Sequence, residues 1–180
     1  MELNTPRLIL REFRQSDFEA VWEYENNPET HRFERAIPEN EAIRAQLDNA
    51  LTWSRENPRT HYCFAITLPP EDIVRGRLSL SLNIADIREW EIGWTIHFNY
   101  WGKGYATEAA KRVLAFAFGE LHVHRVVAFC NVLNTASTRV MSKIGMQQDG
   151  RLRESRWWNG GWQDEFVYAI LERDWDSRQE

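Results

Sequence analysis

Trp90-Glu91-Ile92-Gly93-Trp94-Thr95-Ile96-His97-Phe98 leads through Asn99-Tyr100-Trp101-Gly102-Lys103-Gly104-Tyr105 straight into Ala106-Thr107-Glu108-Ala109-Ala110-Lys111-Arg112-Val113-Leu114-Ala115-Phe116-Ala117-Phe118. The first piece is β-prone and predicts a strand. In the last, Ala106, Ala109, Ala110, Val113, Leu114, Ala117 and Phe118 recur at intervals of three and four. That is one apolar stripe, and it predicts a helix with Gly119 as a left-handed cap. Between them lies a glycine-bearing turn. The first amides of a helix have no partner in their own helix, and the helix dipole adds roughly half a positive charge there. Glycine lets a ligand approach such a backbone without a Cβ in the way. A strand-to-helix turn of this kind is an anion site, suited to a pyrophosphate.

The spacing excludes a P-loop, which needs GxxxxGK[ST]. It also departs from the dinucleotide fingerprint, because Thr107 stands where GxGxxG requires its third glycine and the turn lies mid-chain. An acyl-CoA-type pyrophosphate site and a plain tight turn remain, and the rest of the chain has to decide between them.

Outward from this stretch, Arg7–Phe13 predicts a first strand, and Ser16-Asp17-Phe18-Glu19 fits a capping box opening a helix over Asp17–Tyr24. A second helix is expected over 38–56. Strands are expected at Tyr62–Ile66 and Arg75–Leu82, with the proline pair Pro69-Pro70 between them. Arg125–Cys130 is short and mostly apolar, as a central strand should be. Thr135–Ile144 predicts a shorter helix stopped by Gly145, and Trp157–Trp162 a hairpin turn between two last strands. The expectation is an α+β fold: one mixed, mostly antiparallel sheet of about seven strands, with about four helices and a strand–helix–strand crossover near its centre. No repeat, low-complexity segment or linker divides the chain, so residues 1–180 read as one domain.

Composition narrows the function classes. An apolar fraction of 43% and a charged fraction of 27% suit a soluble globular protein. The net charge of −5 argues against direct nucleic-acid binding, which needs a basic face. Cys63 and Cys130 form no CxxC pair, and His122/His124 is an isolated HxH, so no metal site is expected. With neither a signal-like start nor a bilayer-long apolar run, the expected setting is cytoplasmic, without membrane contact.

Three stretches in order carry a resemblance. Trp101-Gly102-Lys103-Gly104-Tyr105-Ala106 looks like the [QR]-x-x-G-x-[GA] motif of the GNAT superfamily of N-acetyltransferases, with Trp101 where Gln or Arg is usual. Asn134-Thr135-Ala136-Ser137 and Lys143-Ile144-Gly145-Met146 are similar to the family's N-x-x-S…K-x-G-[FM] segment. Thr5-Pro6-Arg7-Leu8-Ile9-Leu10-Arg11 resembles the T-x-R-L-x-L-R opening of the RimJ/RimL-type branch, which includes ribosomal-protein acetyltransferases.

The resemblance implies the acyl-CoA N-acyltransferase fold, with the sheet splayed between the strands ending at Phe98 and Cys130. It implies acetyl-CoA as co-substrate. The pantetheine arm would meet Ile96, His97 and Phe98, the pyrophosphate would lie on Trp101, Gly102, Lys103, Gly104, Tyr105, Ala106 and Thr107, and Asn134 would bond the arm or cap its helix. A carboxylate, directly or through water, can take the amine's proton; Glu91 is the first candidate and Glu154 the second, with water alone as the alternative. Ser137 is placed to protonate the leaving thiolate, with Tyr168 and Tyr100 as competitors. Cys130 closes its strand toward the same cleft. Trp22, Tyr24, His31, Phe33, Trp53, Trp157 and Trp158 are candidates for an aromatic acceptor wall.

The implied activity is acetyl transfer to a primary amine, a protein or peptide N-terminus first. A small-molecule enzyme, acting on an antibiotic or a polyamine, is the alternative within the family. A non-catalytic acyl-CoA-binding sensor is the alternative outside enzymes. The resemblance leaves a homodimer or higher homo-oligomer open.

Overall fold

A computed structural model describes residues 1–33, 37–158 and 160–176. Alternating sequence makes its strands. In β4 (Val74–Ile84), Val74, Gly76, Leu78 and Leu80 are buried while Arg75, Arg77 and Ser79 turn to the other face. β4 lies between β3 (His61–Thr67) and β5 (Glu89–Ile96), antiparallel to both. With β1 (Glu2–Asn4), β2 (Ile9–Glu12), β6 (Arg125–Asn131), β7 (Gln147–Trp158) and β8 (Gly161–Leu171), they form one eight-stranded sheet in the order β1-β2-β3-β4-β5-β6-β8-β7. The expected architecture stands, with one strand more: Glu2–Asn4 is too short to read from pattern.

Among the described residues five α-helices pack on the sheet: α1 (Phe18–Glu25), α2 (Asn40–Trp53), α3 (Tyr105–Gly119), α4 (Thr135–Lys143) and the short α5 (Glu172–Asp176). The stripe of α3 packs on Phe64, Ile66, Leu78, Leu80 and Ile92. Val21 and Tyr24 of α1 join Ile43, Leu47 and Ala50 of α2 over Cys63 and Ala65 in a second cluster. Among the described residues, no helix is long and apolar enough to cross a membrane.

β5–α3–β6 is the crossover. β5 and β6 run parallel and pair only at Glu89–Arg125, Trp90–Val126 and Glu91–Val127. Past Glu91 no pair joins them among the described residues, and Ile92–Thr95 and Phe129–Asn131 instead line a shared cavity. Strand β5 still pairs with β4 as far as Ile96, so its backbone is anchored on one side and open on the other.

Two local expectations are corrected. Ser16 does not open a capping box: Gln15–Asp17 is a 3-10 turn, and the Asp17 carboxylate accepts from the Arg14 amide at 2.7 Å. Asp17 is committed to Arg11, which donates to it at 2.8 and 2.9 Å. The hydrogen bond to Asp17 raises the Arg11 pKa, against its desolvation. Gly119 is the last residue of α3 and is not left-handed; Glu120 continues in αR, and His122 (φ 51°) makes the reversal. The amide of Val123 then closes on the Ala117 carbonyl at 3.1 Å.

Both side chains of the Arg11–Asp17 pair are nearly inaccessible, 5% and 7% exposed. Losing Asp17 leaves Arg11 with Asp72 at 2.6 Å but removes two charge-assisted hydrogen bonds, at a cost of about 3 kcal/mol. Asp17→Ala is therefore expected to lower the unfolding free energy by that amount, read as a lower urea midpoint at an unchanged m-value; a loss under about 1 kcal/mol would show the pair to be no better than a surface one.

Candidate active site

The turn before α3 is held from three sides. Gly102 and Gly104 have φ of 74° and 82°, and Gly104 caps α3 without a side-chain bond. Trp101 folds back so that its indole N–H donates to the Ile96 carbonyl at 2.6 Å. That bond ties turn to strand and gives Trp101 a structural reason to stand where the motif has Gln or Arg. The N-terminal stretch supplies the third hold. Glu108 of α3 accepts from the Thr5 hydroxyl at 2.7 Å and from Arg7 Nε at 2.6 Å, and Arg7 Nη1 donates to the Lys103 carbonyl at 3.0 Å. Burial pushes the Glu108 carboxyl up, but the bonds from Thr5 and Arg7 outweigh it and the pKa ends lower than usual.

A Cβ built on Gly102 meets nothing within 4 Å, and one on Gly104 meets only Arg7 Nη2 at 3.5 Å. The space over the turn is therefore open, faced by first-turn amides and bordered by the Arg7 guanidinium. This fits a pyrophosphate. Arg7 is a residue that sequence pattern alone marked as motif rather than as part of this turn.

The splayed strands enclose a cavity of about 390 Å³. It gathers Glu91, Thr95, Cys130, Asn134 and Ser137 with Glu25, His31, Arg77, Arg156 and Glu165. Asn134 caps α4, its Oδ1 accepting from the Ser137 amide at 3.1 Å. The cap uses the oxygen and leaves the Nδ2 donors for a ligand. Of the positions expected to meet a pantetheine arm, the Ile96 carbonyl is occupied by Trp101 and the His97 amide donates to Arg75 at 2.8 Å. Ile92–Thr95 lie deeper along the same strand and line the cavity. The His97 ring is buried, and its Nδ1 accepts from the Asn99 amide at 3.2 Å.

The acetyltransferase (GNAT) domain family model matches residues 7–147. The chain belongs to this family. It is 34% identical to the uncharacterized N-acetyltransferase YnaD of Bacillus subtilis over 98% of this chain and 100% of that one. The crystal structure of a GNAT-family acetyltransferase from Bacillus anthracis superposes with a TM-score of 0.84 at 32% identity, covering 96% of this chain and 99% of that one. Spermidine N-acetyltransferase from Vibrio cholerae, solved with CoA and spermine, shares the fold: TM-score 0.81, 20% identity, 95% of this chain and 98% of that one.

Within this GNAT domain the acids sort by position. Burial raises the Glu91 pKa, Arg156 lowers it, and Glu165 and Glu89 raise it further. A raised carboxyl in a cleft is a proton acceptor closer to neutral pH than an ordinary Glu. Glu154 is exposed, at φ 50°, and is absent from the cavity lining. It sits where β7 slips register against β8 between Leu152 and Arg156, with its amide donating to Asp164 at 2.8 Å. The acid that β8 does bring to the cavity is Glu165, bonded to Arg156 Nε at 2.6 Å and to the Ser155 hydroxyl at 3.0 Å.

Of the three hydroxyl candidates, Ser137 lines the cavity. Tyr168 donates to Gln148 at 3.1 Å, and Tyr100 packs edge-on against His97; neither is in the lining. Burial, aided by Glu165, pushes the Cys130 thiol up to about 11, so it is a protonated wall and a poor nucleophile. The expected aromatic wall is mostly elsewhere. His31 and Phe33 line the cavity, joined by Trp94 and Phe129. Tyr24 is core, Trp53 stacks on His61, Trp22 donates to Asn40, and Trp157 is 57% exposed against Trp162.

Proposed function

We propose that this protein transfers acetyl from acetyl-CoA to the α-amine of a protein or peptide N-terminus. The observation that carries the choice of acceptor is the mixed charge of one cavity, which holds Glu25, Glu91 and Glu165 together with Arg77 and Arg156. A chain terminus presents an ammonium beside a carbonyl and matches walls of both signs. A polyamine has no carbonyl to offer the two guanidiniums. The relative from Vibrio cholerae is named for spermidine, and at 20% identity its likeness extends to the fold.

Acetyl-CoA supplies the acetyl group as a thioester when bound. The first-turn amides beside Gly104 hold its phosphates, and Asn134 Nδ2 meets the pantetheine arm. Glu91 accepts a proton from the acceptor's ammonium, directly or through water, because only a neutral amine attacks. The unpaired β5 backbone stabilises negative charge developing on the acetyl oxygen. Ser137 gives a proton to the departing sulfur and regains one from the nitrogen, which sheds it as the amide forms.

Thiol release from acetyl-CoA, measured over N-terminal peptides, lysine side chains, polyamines and aminoglycosides, tests this. The expected result is the highest kcat/KM on an N-terminal peptide. A polyamine or drug as the best acceptor would replace this reading with a small-molecule enzyme, and CoA binding without thiol release on any amine would make the chain a sensor.

A further inference from the structure

The Glu25 carboxylate closes the last turn of α1 and is buried, its side chain 1% exposed, with no hydrogen bond to either oxygen among the described residues. It lines the cavity. Its neighbours are His31 Nε2 at 3.0 Å from Oε2 and Arg77 Nη2 at 3.6 Å from Oε1, and neither contact has hydrogen-bond geometry. The His31 Nε2 is likewise buried and unbonded. A buried carboxylate with unfilled acceptor sites costs stability. Nothing in the packing of α1 requires it, because that helix is fixed by Val21 and Tyr24. What its oxygens lack is a hydrogen-bonded donor, which Arg77 at 3.6 Å does not give them and a primary ammonium or guanidinium entering the cavity would.

Glu25 does not face the nitrogen that Glu91 serves. Arg77, which Glu25 approaches, pairs with Thr95 across the sheet, whereas Glu91 pairs with Ser81. Thr95 lies four residues beyond Glu91 on β5, about 13 Å at the rise of an extended strand. A carboxylate clamped on the reacting ammonium would also hold its proton on and oppose attack.

We propose that Glu25 receives a second cationic group of the acceptor, so that the preferred acceptor is a peptide terminus with Lys or Arg among its first residues. Resting on the N-terminal-amine reading, this makes Glu25 a specificity residue of the same cleft.

The test compares peptides that differ only in Lys against norleucine at the second position, on wild type and Glu25→Gln. Two readouts are taken: KM by thiol release, and peptide affinity by calorimetry on protein saturated with CoA. Wild type is expected to prefer the Lys peptide by about 10- to 100-fold, the worth of one charge-assisted bond. Glu25→Gln should bring that ratio close to one, with kcat and the KM for acetyl-CoA retained and the unfolding temperature held or raised. A wild-type ratio near one, a ratio that survives Glu25→Gln, or a variant that fails to fold would each overturn the inference, the last by showing the carboxylate to be structural. Absence of thiol release by wild type on every amine would instead overturn the proposed function.

Discussion

Gly104→Trp is expected to weaken CoA binding by about 100-fold or more while the protein stays folded. The turn offers its amides to an anion only because nothing projects from Gly104, where a Cβ has Arg7 Nη2 at 3.5 Å as its one near neighbour. An indole there fills the open space over the first turn of α3. A charge-assisted hydrogen bond contributes about 1.5–3 kcal/mol, so losing two costs about 3 kcal/mol at the low end, or about 100-fold in Kd.

The substitution also forces a side chain into a left-handed conformation (φ 82°), which costs about 1–2 kcal/mol of stability. Gly160 separates that strain from the ligand effect. It has a similar φ of 78° with nothing within 4 Å of its Cβ position, but it lies in the β7–β8 hairpin. Gly160→Ala should show comparable destabilisation and unaltered CoA affinity by calorimetry. Unaltered affinity in Gly104→Trp would remove the phosphate assignment from this turn.

The turn could be read from the chain because its parts are contiguous: an apolar strand, two glycines and a periodic helix within thirty residues. The acceptor side could not. Glu25 ends an eight-residue helix and looks in sequence like any solvated helix end; it is buried only because α1 and the His31 segment fold over β4. Glu154 and Glu165 exchange places for a different reason. Residues 153–156 of β7 face only two positions of β8, and a bulge of that kind re-aims the side chains beyond it. An alternation rule applied to β7 has no means of seeing it. The tryptophan wall candidates lie elsewhere because a place in the first helices or the last hairpin does not say which way a side chain faces: Trp22 and Trp157 are exposed. Trp53 and Tyr24 pack with α1 and α2, beside a second, smaller cavity rather than the large one. Arg7 was visible as a motif letter, while its bond to the Lys103 carbonyl spans 96 positions.

Glu91→Gln is expected to lower kcat/KM for the amine by about 100-fold, the lower range for loss of a general base, with acetyl-CoA affinity unchanged. Its pH dependence distinguishes a base from a positioning group. Attack requires a neutral amine and, on this reading, an ionised Glu91. An N-terminal ammonium loses its proton near pH 8, and an ordinary Glu near 4.3. Burial moves Glu91 upward from that value. Because ionised Glu91 takes the ammonium's proton within the complex, the logarithm of kcat/KM in wild type should rise with slope one and level off above the Glu91 ionisation, below pH 8; in Glu91→Gln the amine must lose its proton in solution, so the rise should continue to about pH 8. A variant that levels off as early as wild type would assign the proton elsewhere, to Glu165 first. Stability has the opposite sign. A carboxyl whose pKa is higher in the folded state favours folding below its unfolded pKa and loses that contribution as pH rises through its folded pKa. At pH 7 the ionised Glu91 therefore opposes folding, and the neutral amide should hold or raise the unfolding temperature while activity falls. A fall in both would identify Glu91 as a structural partner of Arg156 rather than the base.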